Sequence, residues 1–154
     1  MIVVGIASAI ACSSKKQKET YTIAGLGSET VKIQIETPST WTADTSDREK
    51  PTFTISGVQV RRVTVAALTS LRGDAKEQMA TAIELQYGDA AGAKREDLPD
   101  GRVWMSEDDG RNLHARLFVP YEGGVIMAIA LLPKDSAGKL PEIRSVFETI
   151  KIVP

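Results

Sequence analysis

The chain has 154 residues, 42% hydrophobic and 25% charged, which suits one folded domain with its own core. Lys and Arg number 19 against 20 Asp and Glu, a formal net charge of −1, so no global field draws it to nucleic acid or an anionic surface. Aromatics at 5% are too sparse for a base- or sugar-stacking platform, and one cysteine excludes an intrachain disulfide.

Ile2–Ala11 is apolar or small throughout and uncharged. About ten residues are too few to cross ~30 Å of hydrocarbon as a helix and suit the h-region of a signal peptide. Ala9-Ile10-Ala11-Cys12 resembles the bacterial lipobox, which implies that residues 1–11 are a leader and that Cys12 is the lipid-attachment site. By that resemblance Cys12 carries a diacylglyceryl thioether and an amide-linked acyl chain. Ala9 stands where Leu is usual, and the n-region has no Lys or Arg, as expected if the true start lies upstream. The competing reading is a buried first strand, Ile2–Ile10, with Cys12 a free core cysteine. Gly5, Ala7, Ser8, Ala9 and Ala11 are poor strand formers and disfavour it. Residues 12–19, with Lys15, Lys16 and Lys18, read as a polar lipidated tether, and residues 20–154 as the folded domain. Ser13 is not Asp, which by resemblance to sorting preferences in a Gram-negative envelope points to the outer membrane.

Thr20–Leu26 and Thr30–Glu36 read as two strands around a Gly25-Leu26-Gly27-Ser28 hairpin turn. In the second, Val31, Ile33 and Ile35 alternate with polar residues, the pattern of a half-buried strand. Trp41 follows as a core-edge aromatic, then a polar loop over Ala43–Pro51. Phe53–Ser56 and Val58–Leu68 read as strands. The apolar phase slips at Arg61-Arg62, which suggests a bulge or a strand break. Gly73–Tyr87 reads as a helix, capped by Asp74 with Glu77 three residues later and stopped by Gly88. Ala90–Asp100 reads as a loop.

Arg102–Ser106, Arg111–Val119 and Val125–Leu132 read as a three-stranded antiparallel meander, joined by turns with Asp109-Gly110 and Gly123-Gly124. The last strand is apolar on both sides and should be buried on both. Leu117, Ile129 and Phe147 are expected to be buried together. A second helix begins near Pro141 and sets Ile143, Val146, Phe147 and Ile150 on one face.

Pro38-Ser39-Thr40-Trp41, the meander and Arg144-Ser145-Val146-Phe147-Glu148-Thr149-Ile150 together resemble the PsbP-like superfamily. The resemblance implies an α+β fold, an antiparallel sheet with helices on both faces (an α/β/α sandwich), in a binding or assembly domain with no shared catalytic residues.

His114 is the only histidine, so with Cys12 lipidated a zinc site has no second His or Cys, and a Ser-His-Asp set would rest on His114, which sits on a strand face beside Arg116. Glu107-Asp108-Asp109 lacks the alternation of a calcium loop and reads as a hairpin turn. No catalytic residue, metal site or cofactor is expected. The expected function is a membrane-tethered, non-catalytic envelope lipoprotein that binds or assembles with a protein partner. The alternatives are a periplasmic inhibitor or immunity-type protein, and a carrier of a small apolar ligand. The candidate partner surface is Arg61, Arg62 and Trp104, because Arg and Trp are enriched at interface hot spots. The competing reading is that Trp104 fills the core and the arginines are solvated.

Overall fold

The computed structural model describes residues 15–25, 29–47, 49–87 and 92–154. The leader, Cys12, Gly27-Ser28, Arg48 and Gly88 lie outside the described residues. The chain forms strands β1 (Lys16–Ala24), β2 (Thr30–Pro38), β3 (Trp41–Asp44), β4 (Thr52–Ile55) and β5 (Arg62–Thr69). Helix α1 (Ala75–Tyr87) follows, then β6 (Lys94–Asp97), β7 (Val103–Asp108), β8 (Asn112–Tyr121) and β9 (Gly124–Pro133). A 3₁₀ helix (Lys134–Lys139), α2 (Leu140–Phe147) and β10 (Lys151–Val153) complete it.

The meander sits inside a seven-stranded antiparallel sheet ordered β3-β4-β5-β9-β8-β7-β6, and β1-β2-β10 form a second sheet. Strands hold 51% and helices 20% of the described residues, so the expected sandwich with helices on both faces is overturned. One large-sheet face, with Val63, Val65, Leu117, Ala128 and Leu132, packs against the small sheet and α2 in a single core. The other face, with Val103, Phe118, Val125 and Met127, is covered by α1 through Met79 and Ala82. The physical reason lies in β1 and β2. Ile23, Val31, Ile33 and Ile35 form an apolar face that is stable only against another apolar layer, and the large sheet supplies it. Leu117 and Phe147 are both fully buried there, but Ile129 belongs to the α1 face, because its parity on β9 is opposite to that of Ala128.

Several boundaries move for the same reason: strand pairing recruits residues whose side chains carry no strand signal. β1 begins at Lys16, inside the expected tether, because Lys16-Gln17-Lys18-Glu19 pairs with Ile35–Pro38. β6 lies in the expected loop. Its four residues are all charged and exposed, and they pair with Val103–Ser106 at the edge of the sheet, where charge opposes edge-to-edge association. β10, unanticipated, pairs with Lys32–Gln34. The phase slip at Arg61-Arg62 is a strand start: β5 begins at Arg62, and Val58 and Val60 reach the core from the preceding loop. The capping box on α1 forms as expected. Asp74 Oδ1 accepts from the Glu77 amide at 2.9 Å, and Glu77 Oε2 accepts from the Asp74 amide at 2.8 Å.

Candidate functional site

The register separates the residues named as a partner surface. Trp104 pairs across the sheet through Leu117 and Ala128 to Val65, and Arg62 through Leu131 and His114 to Glu107. Arg62 and Trp104 are thus three strands and three rows apart, roughly 14 Å by roughly 10 Å at ordinary strand spacings. They also point to opposite faces, since Val63, next to Arg62, shares the core face with Trp104.

Trp104 is 5% exposed. The Arg144 guanidinium covers its ring at 5.1 Å from the centroid. Arg144 donates from Nη1 and Nη2 to the two Glu96 oxygens, both at 2.7 Å, and from Nε to Glu148 at 2.8 Å. Glu96 is the register partner of Trp104. The cluster therefore clamps α2 onto the β6–β7 edge, with the planar guanidinium stacked on one partner and forked onto another. Glu96, hydrogen-bonded to Arg144, is held below the ordinary carboxylate range, and Glu96 and then Glu148 raise Arg144. Trp104 is a structural residue of this clamp.

Arg61 and Arg62 are exposed at the start of β5 and have different company. The Arg61 amide donates to Leu131 O at 3.0 Å, and Ser136 in the 3₁₀ helix donates from Oγ to Gln59 O at 3.0 Å. The Lys134 amide donates to Arg111 O at 3.0 Å. Between the start of β1, Ser56, the end of the 3₁₀ helix and α2 opens a surface cleft of about 330 Å³, lined by Lys16, Glu36, Ser56, Lys139, Glu142 and Ser145 among others. One end of the molecule thus gathers cations from β1, the loop before β5, the β7–β8 turn and the 3₁₀ helix. These four segments are far apart in sequence, and no spacing rule could have grouped them.

The cleft wall is organised by Glu142. Trp41 Nε1 donates to Glu142 Oε1 at 3.0 Å, and Lys139 Nζ lies 3.1 Å from Glu142 Oε2. The indole hydrogen bond, with Lys139 adding to it, lowers Glu142 below the ordinary carboxylate range. A carboxylate lowered in the folded state contributes stability that is present above its unfolded pKa and lost as pH falls through the folded one. We expect the Trp41 fluorescence and the thermal midpoint to change together as pH drops below ~4.3, the ordinary glutamate value. Glu142→Gln should keep the indole acceptor and remove this part of the pH dependence. An unchanged acid profile in that variant would show that Glu142 does not couple the cleft to pH.

Nearby, His114 Nε2 lies 3.0 Å from Asp109 Oδ2, and the Arg111 and Asn112 amides donate to Asp109 Oδ1 at 2.8 and 2.6 Å. These bonds, His114 foremost, hold Asp109 well below the usual range. Asp108 accepts from the Gly110 amide at 2.8 Å and pairs with Lys134 at 3.1 Å. The Asp108 and Asp109 carboxylates are thus engaged in shaping the β7–β8 turn.

No family model, curated protein or solved structure matches this chain.

The arrangement offers cations and hydrogen-bonding groups on an open end of the fold. His114, the only histidine in the chain, is held by a turn carboxylate, Asp109. Such a surface can bind anionic groups.

Proposed function

We propose that this protein is a membrane-tethered, non-catalytic envelope lipoprotein, held by lipid on Cys12, that acts as a binding or assembly subunit. The supporting observation is the sequence Ile2–Ala11 followed at once by Cys12 and then by polar Ser13-Ser14-Lys15-Lys16. Each acyl CH₂ that enters the bilayer contributes ~0.8 kcal/mol; one chain gives only reversible attachment, and several make it close to permanent. The binding role is supported by the exposed cationic end and by the clefts of the described residues, which open at the surface. The carrier alternative finds less support, because Phe53, Phe147, Ile23 and Ile33, all at most 1% exposed, fill the space between the sheets.

Fractionation of cells expressing the Cys12→Ser variant tests the anchor. The wild type should sediment with membranes and carry the added lipid mass at Cys12. Cys12→Ser should either appear in the soluble fraction or accumulate with its leader intact. A variant that stays in the membrane pellet at the wild-type size would refute the lipid anchor.

A further inference from the structure

The described fold begins at Lys15-Lys16, and it begins at the same end of the molecule as Arg61, Arg62 and Arg111. Contacts along the fold connect them in steps. Lys16 and Lys139 share the cleft beside Ser56, Lys139 and Ser136 share a second cleft with Gly57 and Gln59, and backbone hydrogen bonds join Arg61 to Leu131 and Lys134 to Arg111. Lys134 and Lys139 are neutralised by Asp108 and Glu142. Lys15, Lys16, Lys18, Arg61, Arg62 and Arg111 are exposed and have no ion pair among the described residues. Among the described residues, the carboxylates Glu19, Glu36, Glu107 and Asp135 at this end also lack an ion pair. Of these, Glu19 accepts the Tyr21 hydroxyl. At the far end of the sheet, near Tyr121 and Gly124, the unpaired cations Arg72 and Lys76 stand among the carboxylates Glu29, Asp74, Glu77 and Glu122, so among the described residues the positive excess points one way along the strands.

We infer that this cationic end is a membrane-facing surface that sits on the phosphates of anionic lipids, with the strands β5 and β8 rising from the headgroups. The inference rests on the Cys12 anchor and adds an orientation to it. The net charge of −1 does not oppose it, because at physiological salt charges more than about 8 Å from the surface are largely screened. Only the near end is felt, and there each Lys or Arg in excess of the unpaired carboxylates raises partitioning about fivefold. The anchor supplies the lasting attachment, so the cations need only select which end faces the bilayer.

The test uses residues 12–154 with Cys12→Ser, which keep every strand and helix of the described residues and have no acyl chain. The protein is sedimented with phosphatidylethanolamine–phosphatidylglycerol vesicles and, in parallel, with phosphatidylcholine vesicles. Binding should appear with phosphatidylglycerol, be weak with phosphatidylcholine and vanish in high salt. Reversal of Arg61, Arg62 and Arg111 to Glu should lower it at least tenfold with an unchanged circular dichroism spectrum. Reversal of Arg72 and Lys151 should change it less than twofold. Absence of phosphatidylglycerol-dependent binding, equal retention on phosphatidylcholine, or equal loss in both sets of variants would overturn the surface, including in favour of an acidic protein partner. The lipid mass at Cys12 is read separately on the cellular protein, so a missing anchor and a missing surface give different results.

Discussion

Phe147→Ala is expected to destabilise the domain by about 3–5 kcal/mol, the range for removing a buried aromatic side chain. Phe147 is fully buried on α2, in the core between the two sheets, and α2 packs against both β2 and β8. Its ring therefore touches the seam where the layers meet, and the void left by alanine cannot collapse without moving one sheet toward the other. Strand ladders resist that motion, because each backbone shift misaligns a row of hydrogen bonds. For a chain of this size the loss corresponds to a fall in thermal midpoint of roughly 10 °C or more. Leu85→Ala is the control. Leu85 is 64% exposed on α1, and its truncation should stay within about 0.5 kcal/mol. A Phe147→Ala midpoint as close to wild type as that of Leu85→Ala would mean that α2 does not join the layers.

The parts of the fold that were legible in the sequence are those whose side chains carry the pattern. β8 and β9 alternate or run apolar, α1 has its capping box at Asp74 and Glu77, and α2 shows Ile143, Val146 and Phe147 at helical spacing. β6 and the first half of β1 carry no such pattern. Lys94–Asp97 and Lys16–Glu19 are strands because a neighbour offers unpaired backbone groups, a property of the assembled sheet and not of the four residues themselves. The fold class went astray for a related reason: the terminal strands were each readable or short, but their joining into a second sheet with β2 at its centre is a long-range event. At the site, Trp104 shows the limit of residue type as evidence. Arg and Trp are enriched in interfaces, yet here the tryptophan meets its arginine, Arg144, inside the molecule. The exposure of Arg61 and Arg62 was legible at the phase slip, while their lying at the same end of the molecule as Lys16 and Arg111 depends on the packing of four distant segments.

Gly124→Ala is expected to destabilise the domain by about 3 kcal/mol, at the top of the usual range for overpacking. The Gly123-Gly124 pair marks the β8–β9 hairpin, but the two glycines serve different needs. Gly123 has φ +107°, which only glycine adopts without strain. Gly124 is required for proximity. A Cβ there would lie 2.0 Å from Leu68 O and 3.1 Å from the Tyr121 hydroxyl. The clashing oxygen belongs to the backbone of β5, next to Thr69, which pairs with Gly124 itself. Relief therefore requires β5 and β9 to part at the last pair of their ladder, in contrast to a surface side chain that could rotate away. Gly138→Ala is the matched control, since a Cβ at Gly138 meets nothing within 4 Å. Its midpoint should stay within a degree or two of wild type, while that of Gly124→Ala falls by several degrees. Equal midpoints would show that the β5–β9 ladder spreads at little cost, and the close approach at Leu68 would then have no part in holding the sheet together.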